Sequence, residues 1–324
     1  MSDSLLAHGW NDRWVERLAS VAGDRPGVRP GRVVRHDGVA VLVSGEDGTE
    51  SLPVLASVHP QPIVGDWVVV DAATNAVVGV LPRSSLLRRQ DPDGGEQPLV
   101  ANLDALLVVC GLDRPLKPGR LRRSIALAAD AGADPVLVLT KADLVDDAAA
   151  AAATVTADYP AAEVVLSSTK DGRGLAAIRR LTAGRTIVLL GESGAGKSTL
   201  ANALMGEEVS ATGEVRPGDA KGRHTTSRRE LHVLPTGGVL IDTPGIRAIG
   251  LVDPDAAAPD FDDIEALAEG CRFRDCAHAG EPGCAVAAAV AAGALAPGRL
   301  AAWHAWLASE EAEPSFKARD RRRR

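Results

Sequence analysis

Residues 191–199 read Gly191, Glu192, Ser193, Gly194, Ala195, Gly196, Lys197, Ser198 and Thr199, which fits G-x-x-x-x-G-K-[ST] at every position. The apolar run TIVLL precedes this loop, and the helix-forming LANALMG follows it. Strand, loop and helix in that order are the context in which such a loop cradles phosphate. Its glycines let backbone N–H groups turn inward around phosphate oxygens, and the helix N-terminus adds partial positive charge. Lys197 would reach the outer phosphates, and Ser198 would ligate Mg²⁺. A chance glycine-rich turn would lack both the spacing and the flanking elements.

Four further segments acquire meaning beside that loop. Asp242-Thr-Pro-Gly245 ends the apolar strand GVLI. Asp242 can hold Mg²⁺ through water, and the Gly245 N–H can face a terminal phosphate. Thr140-Lys141-Ala142-Asp143 ends the strand VLVL. The Asp143 carboxylate can accept two hydrogen bonds from the N1–H and exocyclic amine of guanine, a donor pair that adenine lacks. Ser167 and Ser168 end the next strand and could back the base with main-chain N–H groups. Gly222-Arg-His-Thr-Thr226 lies in a charged, glycine-rich stretch, where Thr225 or Thr226 could complete the Mg²⁺ shell when a loop closes. Taken singly, each of these has a bland reading as a polar loop at a strand end.

Their order is informative. Guanine-nucleotide hydrolases ordinarily run phosphate loop, switch threonine, DxxG, base-reading motif, backing loop. In this chain the base-reading motif and backing loop come first, and the phosphate loop, switch loop and DTPG follow. The same sheet can form with its chain ends moved.

Cys271-x4-Cys276-x-His278-x5-Cys284 gathers three thiols and an imidazole in a short span. Soft thiolates plus one imidazole, four in number, suit a structural Zn²⁺ with no open position. Cys110 lies in an apolar strand and reads as core. His8, His36, His59 and His232 read as solvated or structural.

The elements that must position these residues follow from periodicity. Residues 5–22 carry Leu5, Leu6, Trp10, Trp14, Leu18 and Val21 at roughly helical spacing, an amphipathic arm, and Arg25–Gly31 is a linker by composition. Short strands with Gly, Asp, Asn and Pro turns run from Arg32 to about Pro82, the pattern of a small β-barrel such as the oligonucleotide-binding type. From Ala101 apolar strands near 105–110, 136–140, 163–168, 186–191, 230–235 and 238–243 alternate with helices near 118–131, 173–182 and 197–205. Continuous apolar strands between helices predict a parallel sheet covered on both faces. The alanine run 148–153 reads as helix.

The resulting organisation is an arm and linker over 1–30, a barrel over 31–90, an α/β P-loop domain over 100–250, a helical metal-binding unit over 251–313 and a basic tail over 314–324. The 324 residues carry a net charge of −7, which excludes a uniformly basic nucleic-acid coat but not a local basic surface. No run reaches the roughly 18 apolar residues of a membrane helix, and the start of the chain carries no secretory pattern. A cytoplasmic monomer with no membrane partner is expected.

The rotated motif order, the small barrel before it and the Cys-x4-Cys-x-His-x5-Cys unit after it resemble the circularly permuted, small-ribosomal-subunit-dependent GTPases of bacterial ribosome assembly. GESGAGKST, GRHTTS, DTPG and the cysteine spacing carry the likeness, over about residues 30–300. The resemblance implies an oligonucleotide-binding-type barrel, a permuted GTPase domain and a zinc-bound helical domain. It also implies GTP and GDP as ligands, the 30S subunit and its 16S rRNA as partners, and turnover stimulated by that subunit. Thr140 stands where the family usually carries Asn. Ile246 follows DTPG where many GTPases place a water-orienting glutamine, and the resemblance implies that His224 takes this role. The alternative function is an RNA-binding module that uses GTP as an on/off ligand with little turnover. A P-loop ATPase is disfavoured by the base-reading motif.

Overall fold

The computed structural model describes residues 2–23, 25–38, 40–90, 96–192, 194–206, 229–242, 261–268, 270–273, 276–301 and 303–304. The chain divides into two compact units, Met1–Pro254 and Asp255–Arg324.

The first unit opens with two short helices, α1 (Asp3–Ala7) and α2 (Asp12–Ala22), where the apolar spacing suggested one continuous arm. The break falls at Gly9, whose positive φ of 90° turns the chain between them. Leu5, Trp10 and Trp14 are buried with Trp67, Val69 and Leu81, and the Trp10 and Trp67 rings meet edge-on at 4.7 Å. Packing against a sheet therefore stabilises helices too short to persist alone. His8 Nδ1 lies 2.7 Å from the Ser4 carbonyl, a local structural role.

Strands β1 (Val28–His36), β2 (Ala40–Gly45), β3 (Gly48–Pro53), β4 (Trp67–Asp71) and β5 (Ala76–Val80) follow. The composition of residues 25–31 argued for a linker, yet β1 already begins at Val28. Pro30 is tolerated there opposite Val69, and Gly31 is required because a Cβ would stand 2.3 Å from Val43 Cγ1. The five strands run in the order β3-β2-β1-β4-β5, all antiparallel, around Val33, Val41, Val43, Leu52, Val68, Val70 and Val77. A parallel bridge from Val54 to Val77 brings the end of β3 back to β5.

A hairpin of β6 (Leu86–Gln90) and β7 (Glu96–Ala101) comes next. Its charged, weakly alternating residues gave little sequence signal. Then come β8 (Ala105–Gly111), α3 (Pro118–Ala131), β9 (Asp134–Thr140), α4 (Ala148–Asp158), β10 (Glu163–Leu166), α5 (Leu175–Thr182), β11 (Thr186–Leu190), α6 (Lys197–Met205), β12 (Glu230–Val233) and β13 (Val239–Asp242). Pro118 at the first turn of α3 and Gly132 in the left-handed conformation after it mark that helix at both ends. The strand order is β10-β9-β8-β11-β13-β12. The sheet is mixed rather than wholly parallel, because β12 returns antiparallel beside β13. The five-residue connection 234–238 between these strands is too short for a parallel crossover. Arg35 of β1 pairs with Glu230 of β12, so strands β1 to β5 and the strands flanking residues 191–199 belong to one sheet.

Arg32 is buried at this junction. It donates to the His8 carbonyl of the arm and to Thr186 Oγ1 of β11 at 2.9 Å, and burial pushes its pKa down to about 10. The Asp66 carboxylate, wholly buried, is gripped bidentately by Arg83 at 2.9 and 2.8 Å.

The second unit packs α7 (Asp262–Ala268) and α8 (Ala285–Ala291) through Phe261, Ile264, Cys284, Val286, Ala289 and Leu295. Among the described residues no helix is long and apolar enough to cross a membrane.

Candidate nucleotide site and candidate metal centre

The phosphate loop starts where β11 ends. Gly191 has φ +156°, and a Cβ there would stand 2.2 Å from the Val109 carbonyl oxygen, so neighbouring β8 admits only glycine. Gly194 and Gly196 have φ of +77° and +94°, and α6 begins at Lys197. These conformations let successive N–H groups face a common centre. Lys197 Nζ donates to the carbonyls of Gly191 and Glu192, each at 2.6 Å, which ties the ammonium to the loop. Ser198 is half-buried in the first turn of α6, and Asp242 closes β13 beside β11. Both offer hard oxygen donors at the carboxyl end of the sheet, the donor chemistry Mg²⁺ takes. Ser193, Thr243 to Gly245, and His224, Thr225 and Thr226 of the switch loop lie outside the described residues.

The base-reading turn meets the phosphate loop directly. Thr140 is 5% exposed, and its Oγ1 lies 2.6 Å from the Ala195 carbonyl oxygen and 3.1 Å from that of Cys110. Lys141 turns the chain in the left-handed conformation at φ 58°, and Ala142 N–H donates to the Ser167 carbonyl at 3.1 Å. The Ser168 hydroxyl donates to Asp143 Oδ1 at 2.7 Å. That bond, more than any other influence, holds the Asp143 carboxyl below the usual carboxylate range, with the Lys170 and Arg173 charges adding to it. The main-chain amides of Ser167 and Ser168 are engaged with the Leu139 and Arg173 carbonyls. Of the two serines, Ser168 reaches Asp143 through its hydroxyl. Cys110 is core-like, and burial pushes its thiol up to about 11.

A charged set outside these motifs surrounds this centre. Asp113 follows β8 and accepts from Lys141 Nζ at 2.7 Å, which holds its carboxyl below the usual range. Arg120 of α3 pairs with Glu192, and Arg114 stands between Asp113 and Glu192. The only sequence signal was a cluster of charges after an apolar strand, and charge runs usually mean a solvated face.

In the second unit, Cys271, Cys276, His278 and Cys284 bring one ligand atom each within 4.8 Å of one another. The Cys271 and Cys284 sulfurs are 3.9 Å apart, and His278 Nδ1 lies 3.6 and 3.4 Å from them. A tetrahedral Zn²⁺ with the usual bond lengths requires S···S of about 3.8 Å and S···N of about 3.5 Å. Ala285 and Ala287 N–H groups donate to the Cys271 and Cys284 sulfurs, each at 3.3 Å, as outer partners of thiolate ligands do. The four residues thus fit a zinc ion.

Residues 80–252 match the RsgA GTPase family. The chain is 44% identical over 309 residues to a small ribosomal subunit biogenesis GTPase RsgA of Streptomyces coelicolor, covering 92% of this chain and 84% of the relative. A protein of the same name from Xylella fastidiosa is 43% identical over 284 residues, covering 84% and 85%. Among solved structures, YjeQ from Thermotoga maritima aligns with TM-score 0.54 and 25% identity over 89% of this chain and all of its own. YloQ, described as a circularly permuted GTPase, aligns with TM-score 0.54 and 23% identity, over 91% of this chain and 99% of its own.

Proposed function

The chain belongs to the RsgA GTPase family, and on that premise we propose how its residues perform the reaction. The protein is a GTPase of ribosome biogenesis, hydrolysing GTP to GDP and phosphate. The site reading rests on one observation: the hydrogen bond from Thr140 to Ala195, 55 residues apart, which puts the base-reading turn against the phosphate loop.

Gly191 to Thr199 wraps the phosphates, Lys197 neutralises charge on the outer ones, and Asp143 selects guanine. Ser198, Asp242 through water, and Thr225 or Thr226 would hold Mg²⁺, which would supply positive charge against the charge developing on the phosphates. Gly245 N–H faces the γ-phosphate. His224 positions the attacking water, since Ile246 cannot. Positioning of His224 by a partner would give slow intrinsic turnover and stimulation by that partner. The 30S subunit and its 16S rRNA, met in the cytoplasm late in subunit maturation, are that partner.

Strands β1 to β5 form an oligonucleotide-binding-type barrel; the bridge from Val54 to Val77 supports its closure. One structural Zn²⁺ is held by Cys271, Cys276, His278 and Cys284, a reading supported by their donor-atom spacing. The domains follow: arm 1–30, barrel 31–90, GTPase 100–250, zinc unit 251–313 and basic tail 314–324.

Steady-state GTP hydrolysis with and without purified 30S subunits tests this. Turnover is expected to rise with 30S. Lys197→Ala should impair both binding and turnover, and His224→Ala should lower stimulated turnover while GTP binding persists. Bound GTP with no 30S-stimulated turnover would replace this mechanism with an RNA-binding module switched by GTP.

A further inference from the structure

A cavity of about 570 Å³ lies between the N-terminal arm and the amino ends of β8, β9 and β11. Its walls include Arg13 and Trp14 of α2, Arg32 of β1, Trp67 of β4, and Arg185 and Thr186 where β11 begins. Strands β8, β9 and β11 are parallel, and Thr140 and Gly191 stand at their other ends. The cavity is therefore on the edge of the sheet opposite the candidate nucleotide site.

Its wall carries buried donors with no acceptor. Arg32 is 2% exposed and Trp67 is 0% exposed. Arg32 Nη1 donates to the His8 carbonyl, and Nη2 to Thr186 Oγ1 and the Asn102 carbonyl. Its Nε–H has no partner, and neither has the indole N–H of Trp67. Buried polar groups are seldom left so, and two on one cavity wall call for an explanation.

Charge points the same way. Arg185 pairs with Asp134 at 2.5 Å, and Asp104 accepts from the Thr186 N–H at 2.8 Å. Burial lowers the pKa of Arg32 against the pull of Asp104 and Asp66, and the Arg13 charge adds to that lowering. Asp66 is itself gripped by Arg83. Arg13 meets no carboxylate among the described residues; its guanidinium carbon lies 4.7 Å from the centre of the Trp14 ring. The wall thus sets three arginines, 13, 32 and 185, against two aspartates, 104 and 134.

We propose that this cavity is a binding site for a small oxyanion, a phosphate or carboxylate group seated between Arg13 and the N–H groups of Arg32 and Trp67. The oxygens of such a group accept, and the unanswered groups of the wall only donate. The volume is in the range of small-molecule pockets, so the cavity admits an organic anion as well as inorganic phosphate. Arg13 comes from the arm and the other groups from the sheet, so the anion also ties the arm down. The site shares no residue with the loop 191–199.

Calorimetric titration of the full chain with sodium phosphate, and separately with sodium succinate, tests this. At least one is expected to bind saturably, one anion per chain, and to raise the unfolding temperature. Binding of phosphate alone assigns a phosphate group, and binding of succinate alone a carboxylate. Phosphate can also enter the loop 191–199, so the titrations are repeated in Lys197→Ala, where binding in the cavity should persist. Arg13→Gln, at an exposed position, should raise Kd about tenfold and flatten its salt dependence. Without anion this variant should unfold at the temperature of the unaltered chain, which separates lost binding from lost folding. Trp67→Phe removes the indole N–H and keeps an aromatic ring; it should raise Kd about fivefold and leave the salt dependence unchanged. Saturation by neither anion, loss of all binding in Lys197→Ala, or a Kd that either Arg13→Gln or Trp67→Phe leaves unmoved would overturn the proposal.

Discussion

Thr140→Val removes one hydroxyl and little else, which makes it the sharpest probe of how the site is held. The hydroxyl lies 2.6 Å from the carbonyl oxygen of Ala195, a residue only 3% exposed. Valine keeps the volume but leaves that carbonyl facing a methyl group. A buried acceptor stripped of its donor costs about 1–3 kcal/mol. If the cost falls on the loop conformation that binds phosphate, the apparent Kd for GDP rises roughly 5- to 150-fold, since each 1.4 kcal/mol is a factor of ten. Thr140→Ser keeps the donor and loses only a methyl near Gly196, whose absent Cβ would lie 4.0 Å from Thr140 Cγ2. Serine should therefore bind GDP within a few-fold of the unaltered chain. Because the bond acts on the loop and not on the base, valine should weaken GDP and inosine diphosphate by the same factor. Fluorescence titration with both nucleotides measures this. Equal affinity of the valine variant and the unaltered chain, or a loss confined to the guanine nucleotide, would refute the reasoning.

Two further outcomes are expected. In the proposed site Asp143 accepts from guanine only when ionised, and the Ser168 hydroxyl is the largest cause of its depressed pKa. The folded carboxyl protonates below the ordinary carboxylate range, so its contribution is complete above that range and is lost as pH falls through the folded value. In Ser168→Ala the acid limb of GDP binding should move to higher pH; a GDP affinity profile across the acid range that does not shift would contradict the assignment. Removing zinc with a chelator, or changing Cys284 to Ser, should abolish metal content and unfold the Phe261, Ile264 and Val286 core, while GDP binding by the first unit persists. Elemental analysis beside circular dichroism checks this, and a metal-free chain that keeps its second unit folded would refute it.

Much of the protein was determined by local sequence. The phosphate loop, the strands that flank it, the order of β8 to β11 and the cysteine–histidine spacing could all be read directly. Each is imposed within a few residues: glycines that alone tolerate positive φ, apolar runs that must be buried, thiols close enough along the chain to share one ion. Composition misled at residues 25–31, because a Pro- and Gly-rich stretch also suits a strand at a crowded crossing, as Gly31 against Val43 shows. The antiparallel return of β12 and its pairing with β1 at Arg35 and Glu230 depended on register between distant strands, which no local pattern encodes. Tertiary structure alone also decided that Thr140 would clasp Ala195, that Ser168 would orient Asp143, and that Arg114 and Arg120 would converge on Glu192. Those contacts join residues at or beyond the ends of separate strands. They exist because the sheet brings its carboxyl ends to one edge, where side chains remote along the chain must share space and charge.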